Sequence, residues 1–217
     1  MDEERAARAA LVSAAQRLDE LGLNHNSSGN AGVRIGAGVL VTPSGIPAHE
    51  LTPDDMVLLD DAGEPRHRGQ RRPTSEWQLH VEVLLRRPEV VGIAHIHSLE
   101  ATAAATVGQS LPPIHYVAAR FGGTFLTCAP YATYGTAELA TLVADTLGSQ
   151  TMACLMANHG AIALGPDLDT AVALALDVEW FCGVVRRARQ QGEPIVLADD
   201  EMARVAELFR SYGQPSA

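Results

Sequence analysis

The stretch Val90-Val91-Gly92-Ile93-Ala94-His95-Ile96-His97-Ser98 predicts the centre of the fold. Its first residues are apolar and mostly β-branched, which is typical of a buried strand. Because side chains alternate between the two faces of a strand, we expect His95 and His97 on one face with Ile96 behind them. Two adjacent imidazoles form half of a zinc site, since tetrahedral Zn²⁺ binds histidine nitrogen at about 2.0–2.1 Å. Two strand histidines that only hydrogen-bond to the backbone would give the same pattern, so the interpretation depends on further ligands.

The composition favours one α/β domain over residues 1–217. Hydrophobic residues make up 47% of the 217 residues and charged residues 19%, which suits a chain with one sizeable core. The formal net charge of −10 gives the chain an overall negative electrostatic field, which disfavours binding to nucleic acid. A phosphate group can still bind locally to backbone N–H groups.

The cysteines and the apolar runs point to the cytoplasm. Cys128, Cys154 and Cys182 are scattered and include no Cys-x-x-Cys pair, as expected of reduced thiols in a cytosolic protein. The acidic start, Met1 to Glu4, lacks the basic region of a signal peptide. No apolar run reaches membrane-spanning length, so we expect no membrane partner.

The order of elements predicts a mixed sheet with helices on both faces, because strands alternate with helices and several strands are separated only by short turns. The predicted helices cover 3–21, 74–87, 99–107, 135–147, 168–190 and 199–210. The predicted strands cover 33–35, 39–41, 56–59, 90–97, 124–126, 153–156 and 161–164.

Two further side chains complete a possible metal site. His159 lies between two strand-like runs and is followed by Gly160, so it can face a cleft; alternatively it is a turn histidine satisfied by solvent. With His95 and His97 it would make three ligands and leave a position open, as in catalytic zinc sites. Glu76 lies near the start of a predicted helix capped by Thr74 or Ser75. There it could act as general base or only favour the helix dipole, and spacing leaves both possibilities open.

Three small turns are rich in hydrogen-bond donors and could bind an anion. They are Gly29-Asn30, Ser44-Gly45 and Thr74-Ser75. The last turn precedes a predicted helix, and helix N-termini bind phosphate. Each turn alone is ordinary, but three of them beside a metal site suggest a phosphorylated small molecule as substrate.

Longer stretches of the chain resemble the class II aldolase/adducin family. They are Leu21–Asn24, Gly29-Asn30, Thr42–Pro47, Ser75–Trp77, His95–His97, Pro113–Tyr116, Cys128–Thr136 and Asn158–Gly160. The similarity covers nearly the whole chain and is greatest to members that cleave L-fuculose 1-phosphate. It implies a single-domain αβα sandwich with a mixed, largely antiparallel central sheet flanked by helices. It also implies a homotetramer with fourfold symmetry and active sites at subunit interfaces.

The resemblance also implies roles for individual residues. Zn²⁺ would bind His95, His97 and His159, with Mn²⁺, Co²⁺ or Fe²⁺ as possible substitutes. Glu76 would be the acid/base and would also reach the metal. The implied phosphate-binding residues are Gly29, Asn30, Ser44, Gly45, Thr74 and Ser75. The implied aromatic residues are Tyr116, acting from a neighbouring subunit, and Tyr134 and Tyr212 on the aldehyde side.

The implied reaction is the reversible cleavage of a ketose 1-phosphate, such as L-fuculose 1-phosphate or 5-deoxyribulose 1-phosphate, to dihydroxyacetone phosphate and a small aldehyde. Related alternatives are an epimerase, dehydratase or decarboxylase acting on a similar sugar phosphate, or a non-catalytic adducin-like interaction module. The chain departs from the family pattern at Gly32 and Thr74, which stand where Ser is usual, at Tyr134 in place of Phe, and over 119–121 beside Tyr116.

Overall fold

The computed structural model describes residues 2–36 and 38–210, and its centre is a seven-stranded sheet. The strands are β1 (Asn30–Ile35), β2 (Gly38–Val41), β3 (Val57–Leu59), β4 (Gly92–Ile96), β5 (Thr127–Ala129), β6 (Ala153–Met156) and β7 (Gly160–Gly165). The helices are α1 (Asp2–Glu20), α2 (Trp77–Arg86), α3 (Leu99–Val107), α4 (Ala137–Leu147), α5 (Leu168–Gln191) and α6 (Asp199–Arg210). Short 3-10 helices cover Ala48–Glu50, Pro53–Asp55 and Tyr116–Phe121.

The predicted histidine strand is the middle strand of this sheet. The strand order is β3-β2-β1-β4-β7-β6-β5, and all neighbours are antiparallel except the parallel pair β5 and β6. In β4, His95 is paired with Asn30 of β1 on one side and with Ile162 of β7 on the other. The mixed, largely antiparallel sheet flanked by helices confirms the predicted fold class.

Two hydrophobic cores lie on opposite faces of the sheet and make three layers. One core joins the sheet to α1, α3 and α5 and includes Ala94 and Ile96. The other joins it to α2 and α4 and includes Ile93 and Ile162. Because alternate residues of β4 share a face, His95 points to the same side as Ile93, toward α2. A wholly buried imidazole thus lies at the border of an apolar core.

Helix α2 begins later than predicted. The helix starts at Trp77, so Glu76 is its N-cap residue and not part of its first turn, and neither Thr74 nor Ser75 caps it. Pro73 forms a bridge with Pro43, and the Thr74 N–H donates to the carbonyl oxygen of Thr42. These contacts hold the chain extended up to Thr74, so the helix cannot begin there.

Three other predictions need correction. Strand β5 lies after Leu126, because its residues pair with β6, whereas Leu126 forms only an isolated bridge to Leu111. Strand β1 begins at Asn30, within the predicted loop, because Asn30 pairs with His95. The spacing of Trp77, Val81, Leu84 and Leu85 predicts one shared apolar face for α2, but Leu85 is 47% exposed. Among the described residues, none of the helices combines the length and apolar character needed to cross a membrane.

Candidate metal centre

Four side chains from three separate segments meet at one end of the central strands. One ligand atom from each of Glu76, His95, His97 and His159 lies within 4.8 Å of the other three. The three imidazole rings stand edge to face, with centroids 4.7–4.9 Å apart. The structure therefore brings together every residue that the sequence predicted as a metal ligand.

Strand β4 and the residue after it supply two of these ligands. His95 is completely buried within β4. His97 follows the last residue of the strand, and its backbone N–H donates to the carbonyl oxygen of Leu23, 3.1 Å away. That hydrogen bond continues the extended course of the chain, so both rings face the same site.

The hydrogen bonds of His95 determine which of its nitrogens faces the cluster. Its Nδ1 lies 3.0 Å from the carbonyl oxygen of Ala161, which can only accept, so Nδ1 carries the proton. In a neutral imidazole Nε2 then presents a lone pair, and it lies 2.9 Å from Nε2 of His97. Burial, together with the neighbouring His95 and His159, lowers the pKa of His97 to about 3. His97 is therefore neutral near pH 7 and can act as a ligand.

His159 is presented by the tight turn between β6 and β7. Asn158 has a φ of 54°, a left-handed conformation that asparagine adopts more readily than most residues. Gly160 comes so close to β4 that a Cβ there would lie 2.3 Å from the carbonyl oxygen of Ile96. Only glycine permits this approach, which brings His159 beside His97.

Glu76 closes the cluster from the turn before α2. Its Oε2 lies 2.9 Å from Nε2 of His95 and accepts a hydrogen bond from Nδ2 of Asn30 at 3.0 Å. Its Oε1 is buried 3.1 Å from Nε2 of His159 and has no hydrogen-bond partner among the described residues. Burial acts to raise the pKa of Glu76, but His95 and His159 outweigh it and lower that pKa, so Glu76 is a carboxylate.

The donor set fits a divalent metal ion. Three imidazoles and a carboxylate are ligands that zinc accepts, and three histidines leave room for a fourth ligand. Oε1 of Glu76 is buried without a hydrogen bond, and the Nε2 atoms of His95 and His97 lie 2.9 Å apart, so ring lone pairs and a carboxylate oxygen can converge on one point. A cation among them would satisfy all of these atoms at once. The Ala161 carbonyl oxygen also accepts from Nδ1 of His95 and so orients this ring, as metal-bound histidines require.

The cluster lies at the floor of a cavity of about 380 Å³. All six predicted phosphate-binding residues line it, namely Gly29, Asn30, Ser44, Gly45, Thr74 and Ser75. Tyr134, predicted for the aldehyde side, lines the same cavity. The three donor-rich turns are thus brought to one place, next to the metal ligands.

The cavity also contains residues for which the sequence suggested no role. These are Ser27, Ser28, Pro43, Tyr131, Ala132 and Asn158. Each lies within two residues of a predicted site residue or in the stretch Cys128–Thr136. Proximity in sequence was therefore the signal that could have identified them.

The sequence also suggested no catalytic or binding role for His80, which lies within the predicted helix 74–87. Its Nε2 lies 2.5 Å from Oδ1 of Asn30, and the residue is completely buried. The available signal was its spacing of four residues from Glu76, which places both near one side of α2.

Two predicted aromatic residues are not part of this cavity. Tyr116 is 53% exposed, packs beside His115 and Phe209, and is not among the described residues that line the cavity. Tyr212 lies outside the described residues. Within one chain, the aromatic wall of the cavity is made by Tyr131 and Tyr134.

Comparisons with known proteins agree with this fold and site. Residues 9–185 match the family described as Class II Aldolase and Adducin N-terminal domain. A 5-methylthioribulose-1-phosphate/5-deoxyribulose-1-phosphate aldolase of Rhodospirillum rubrum is 42% identical over 96% of this chain and 93% of its own. An L-fuculose phosphate aldolase of Escherichia coli is 37% identical over 98% of each chain. A solved L-fuculose 1-phosphate aldolase superimposes with a TM-score of 0.89 at 34% identity, over 94% of this chain and 95% of that one.

A mixed sheet with a histidine and carboxylate cluster at its centre defines a metal-dependent enzyme of the class II aldolase type. The chain belongs to the class II aldolase and adducin family. With aldolases as relatives along nearly its whole length, it is an aldehyde-lyase of that family.

Proposed function

We propose that this chain is a zinc-dependent aldolase that reversibly cleaves a ketose 1-phosphate to dihydroxyacetone phosphate and a small aldehyde. The observation that carries the proposal is the position of the Glu76, His95, His97 and His159 cluster at the floor of a cavity lined by donor-rich turns. Such turns suit a phosphate group, and the cluster suits a metal that acts on the neighbouring carbonyl.

The aldehyde half of the substrate is proposed to end in an apolar group. Tyr131 and Tyr134 contribute aromatic rings to the cavity, and such rings favour a methyl or methylthio group over a hydroxyl. The relative from Rhodospirillum rubrum is named for 5-methylthioribulose 1-phosphate and 5-deoxyribulose 1-phosphate, which have such ends. The aldehyde half of L-fuculose 1-phosphate also ends in a methyl group, so all three phosphates are proposed substrates, and the higher identity to the Rhodospirillum rubrum relative places its two phosphates first.

A bound zinc ion, held by His95, His97 and His159, would supply a Lewis acid that stabilises negative charge on the substrate oxygens. In the direction of synthesis, the Glu76 carboxylate removes a proton from the hydroxymethyl carbon of dihydroxyacetone phosphate. The electron pair left on that carbon forms the new bond to the aldehyde carbon. Tyr116 of a neighbouring subunit donates its phenolic proton to the aldehyde oxygen. Cleavage follows the same steps in reverse.

The printed sequence contains no lysine. An aldolase that uses a Schiff base needs a lysine amine to attack the substrate carbonyl. The chain offers no such side chain, so activation of the carbonyl must come from another group. The histidine and carboxylate cluster is the group that fits this need.

The proposal includes an oligomer and a location. Tyr116 is exposed and lies away from the cavity of its own chain, as expected of a residue that serves a neighbouring site in a homotetramer. Cys128, Cys154 and Cys182 are unpaired, which agrees with a reducing cytoplasm. We further propose that residues 1–217 act as one domain, since residues 30–165 contribute to one sheet.

The direct test is a cleavage assay with 5-deoxyribulose 1-phosphate, 5-methylthioribulose 1-phosphate and L-fuculose 1-phosphate. Dihydroxyacetone phosphate is measured by its NADH-dependent reduction in a coupled assay. The unphosphorylated ketoses serve as controls and should react poorly, because they cannot use the donor-rich turns. Conversion of a sugar phosphate without release of dihydroxyacetone phosphate would indicate an epimerase, dehydratase or decarboxylase instead.

A further inference from the structure

A buried series of hydrogen-bonded side chains links Glu76 to His80, which lies outside the metal cluster. The Asn30 amide lies between two groups: its Nδ2 donates to Oε2 of Glu76 at 3.0 Å, and its Oδ1 lies 2.5 Å from Nε2 of His80. All three side chains are buried. In such surroundings an unpaired polar group is costly, so the orientation of each partner constrains the next.

The direction of these hydrogen bonds follows from their chemistry. An ionised Glu76 can only accept, so Asn30 must turn its NH₂ group toward the carboxylate and its oxygen toward His80. The oxygen of Asn30 also only accepts, so Nε2 of His80 must carry the proton. Burial lowers the pKa of His80 to about 3, so the ring is neutral near pH 7 and its Nδ1 carries no proton. If Asn30 were flipped, two acceptor oxygens would face each other.

Gly32 provides the space in which the His80 ring lies. A Cβ at position 32 would come within 2.6 Å of Nδ1 of His80, so any other residue there would force the ring or the strand to move. Nδ1 has no hydrogen-bond partner among the described residues. Nδ1 therefore contributes nothing to the orientation of the ring, which is determined by Nε2 and by packing.

We propose that His80 is a positioning residue for the acid/base Glu76. By donating from Nε2 to Asn30, it fixes the amide so that one N–H holds Oε2 of Glu76, while the second N–H stays available to the cavity that Asn30 lines. His80 thereby helps to connect the Glu76 carboxylate to the Gly29-Asn30 turn, which we propose as part of the phosphate-binding site. This inference rests on the proposed role of Glu76 in the aldolase reaction.

The test compares two substitutions of His80 in the metal-loaded protein. His80→Leu removes the donor but keeps an apolar side chain, whereas His80→Gln places an amide N–H near the former Nε2. Leu79→Ala, on the same helix and equally buried, is the control for destabilisation alone. The activity readout is deuterium exchange into dihydroxyacetone phosphate, with kcat and KM separated. Metal content per chain and the denaturant midpoint are measured for each variant.

A second readout does not depend on activity. Asparagine occurs at only four positions of the sequence, Asn24, Asn26, Asn30 and Asn158, so selective ¹⁵N labelling gives four side-chain amides. Exchange of the Asn30 amide protons with solvent is then followed by NMR, with Asn30→Ala to assign the signal. We expect slow exchange in the wild type, at least 10-fold faster exchange in His80→Leu, and recovery in His80→Gln.

For activity, we expect His80→Leu to retain its metal and to lose about 10- to 100-fold in kcat with a smaller change in KM. His80→Gln should recover most of this loss, and Leu79→Ala should not change kcat. Unchanged Asn30 amide exchange in His80→Leu, or equal loss of kcat in the Leu and Gln variants, would overturn the proposal. If amide exchange responds as expected while wild-type protein exchanges no deuterium, the positioning contact stands and the proposed function fails.

Discussion

Nδ1 of His95 donates a hydrogen bond to the carbonyl oxygen of Ala161, 3.0 Å away on the neighbouring strand β7. The strand that begins directly after His159 therefore orients a second ligand, His95. Because this hydrogen bond is part of the sheet interior, it keeps a proton on Nδ1 and turns Nε2 toward the cluster before any metal binds. The metal centre is in this respect a product of the β4–β7 pairing.

The first prediction concerns the metal ligands. His95→Ala, His97→Ala and His159→Ala should each lower the metal content from about one ion per chain to a small fraction, because each removes one of three nitrogen ligands. Elemental analysis of purified protein measures this. His67→Ala is the control, since His67 is exposed, lies 3.4 Å from Oε1 of Glu4 and is not part of the metal cluster. Full metal content in His159→Ala would show that the turn histidine is not a ligand.

The second prediction concerns the carboxylate. Glu76→Gln should keep much of the metal but lose deuterium exchange into dihydroxyacetone phosphate by roughly 10²-fold or more, because an amide cannot accept the proton. Glu82→Gln is the matched control, as Glu82 lies on α2, which begins directly after Glu76, and pairs with Arg86 at the surface. Exchange at the wild-type rate in Glu76→Gln would contradict the assignment of Glu76 as base.

The third prediction tests whether Tyr116 acts between subunits. Tyr116→Phe should fold, retain metal and exchange the donor proton, yet cleave the ketose phosphate poorly. Co-expression with the metal-deficient His95→Ala should restore part of the cleavage activity, because heterologous ring contacts pair an intact tyrosine with an intact metal centre. Separately purified variants mixed without subunit exchange are the control. Verified hetero-oligomers without activity would mean that Tyr116 does not serve a neighbouring site.

The fourth prediction concerns Nδ1 of His80, which is unprotonated and has no hydrogen-bond partner among the described residues. Gly32→Ala and Gly32→Ser should both destabilise the protein, because a Cβ there approaches the ring to 2.6 Å. The serine variant should be more stable than the alanine variant by about 1 kcal/mol, since its hydroxyl can donate to Nδ1. Urea unfolding measures the difference. The same pair at the exposed Gly69, where a Cβ would have no neighbour within 4 Å, is the control and should show almost no difference. Equal stability of the two variants at position 32 would argue against an unsatisfied Nδ1.

The fifth prediction is a pH dependence of stability. The pKa of His80 is about 3 in the folded protein against 6.5 for a free histidine, so only the unfolded chain gains this proton between these values. The stabilisation is complete above pH 6.5 and is lost as the pH falls. Relative to His80→Gln, the wild type should lose about 2 kcal/mol of unfolding free energy between pH 7 and pH 5. Denaturant unfolding of the metal-free proteins measures this. A constant difference across that range would mean that His80 is not buried as a neutral ring.

Much of the fold and site could be predicted from sequence because the decisive signals are local. The apolar run before His95 indicates a strand, and strand alternation alone orients His95 and His97. The start of α2 could not be predicted, because the contact of Pro73 with Pro43 overrides the helix signal of Thr74 and Ser75.

Contacts between distant segments were the other limit. His80 meets Asn30 across 50 residues of sequence, and no local pattern encodes that meeting. The same holds for Tyr131, whose place in the cavity depends on how the segment after β5 returns toward the end of β4. The donor-rich turns were enough to predict the polar lining of the cavity. The residues that contact those turns, such as His80, could be identified only from the tertiary structure.

The pairing of β4 between β1 and β7 has a consequence for folding kinetics. The ligands are distant in sequence, and the buried pairs that hold them, such as Asn30 with His95, form only when long-range strand pairing is complete. Pairing between strands that are distant in sequence is slow, and early formation of the helices does not remove this slow step. A metal ion that needs this completed cluster would bind after the sheet has assembled, and its binding energy would then slow unfolding. Loss of the metal should accordingly shorten the lifetime of the native state while leaving the refolding rate almost unchanged.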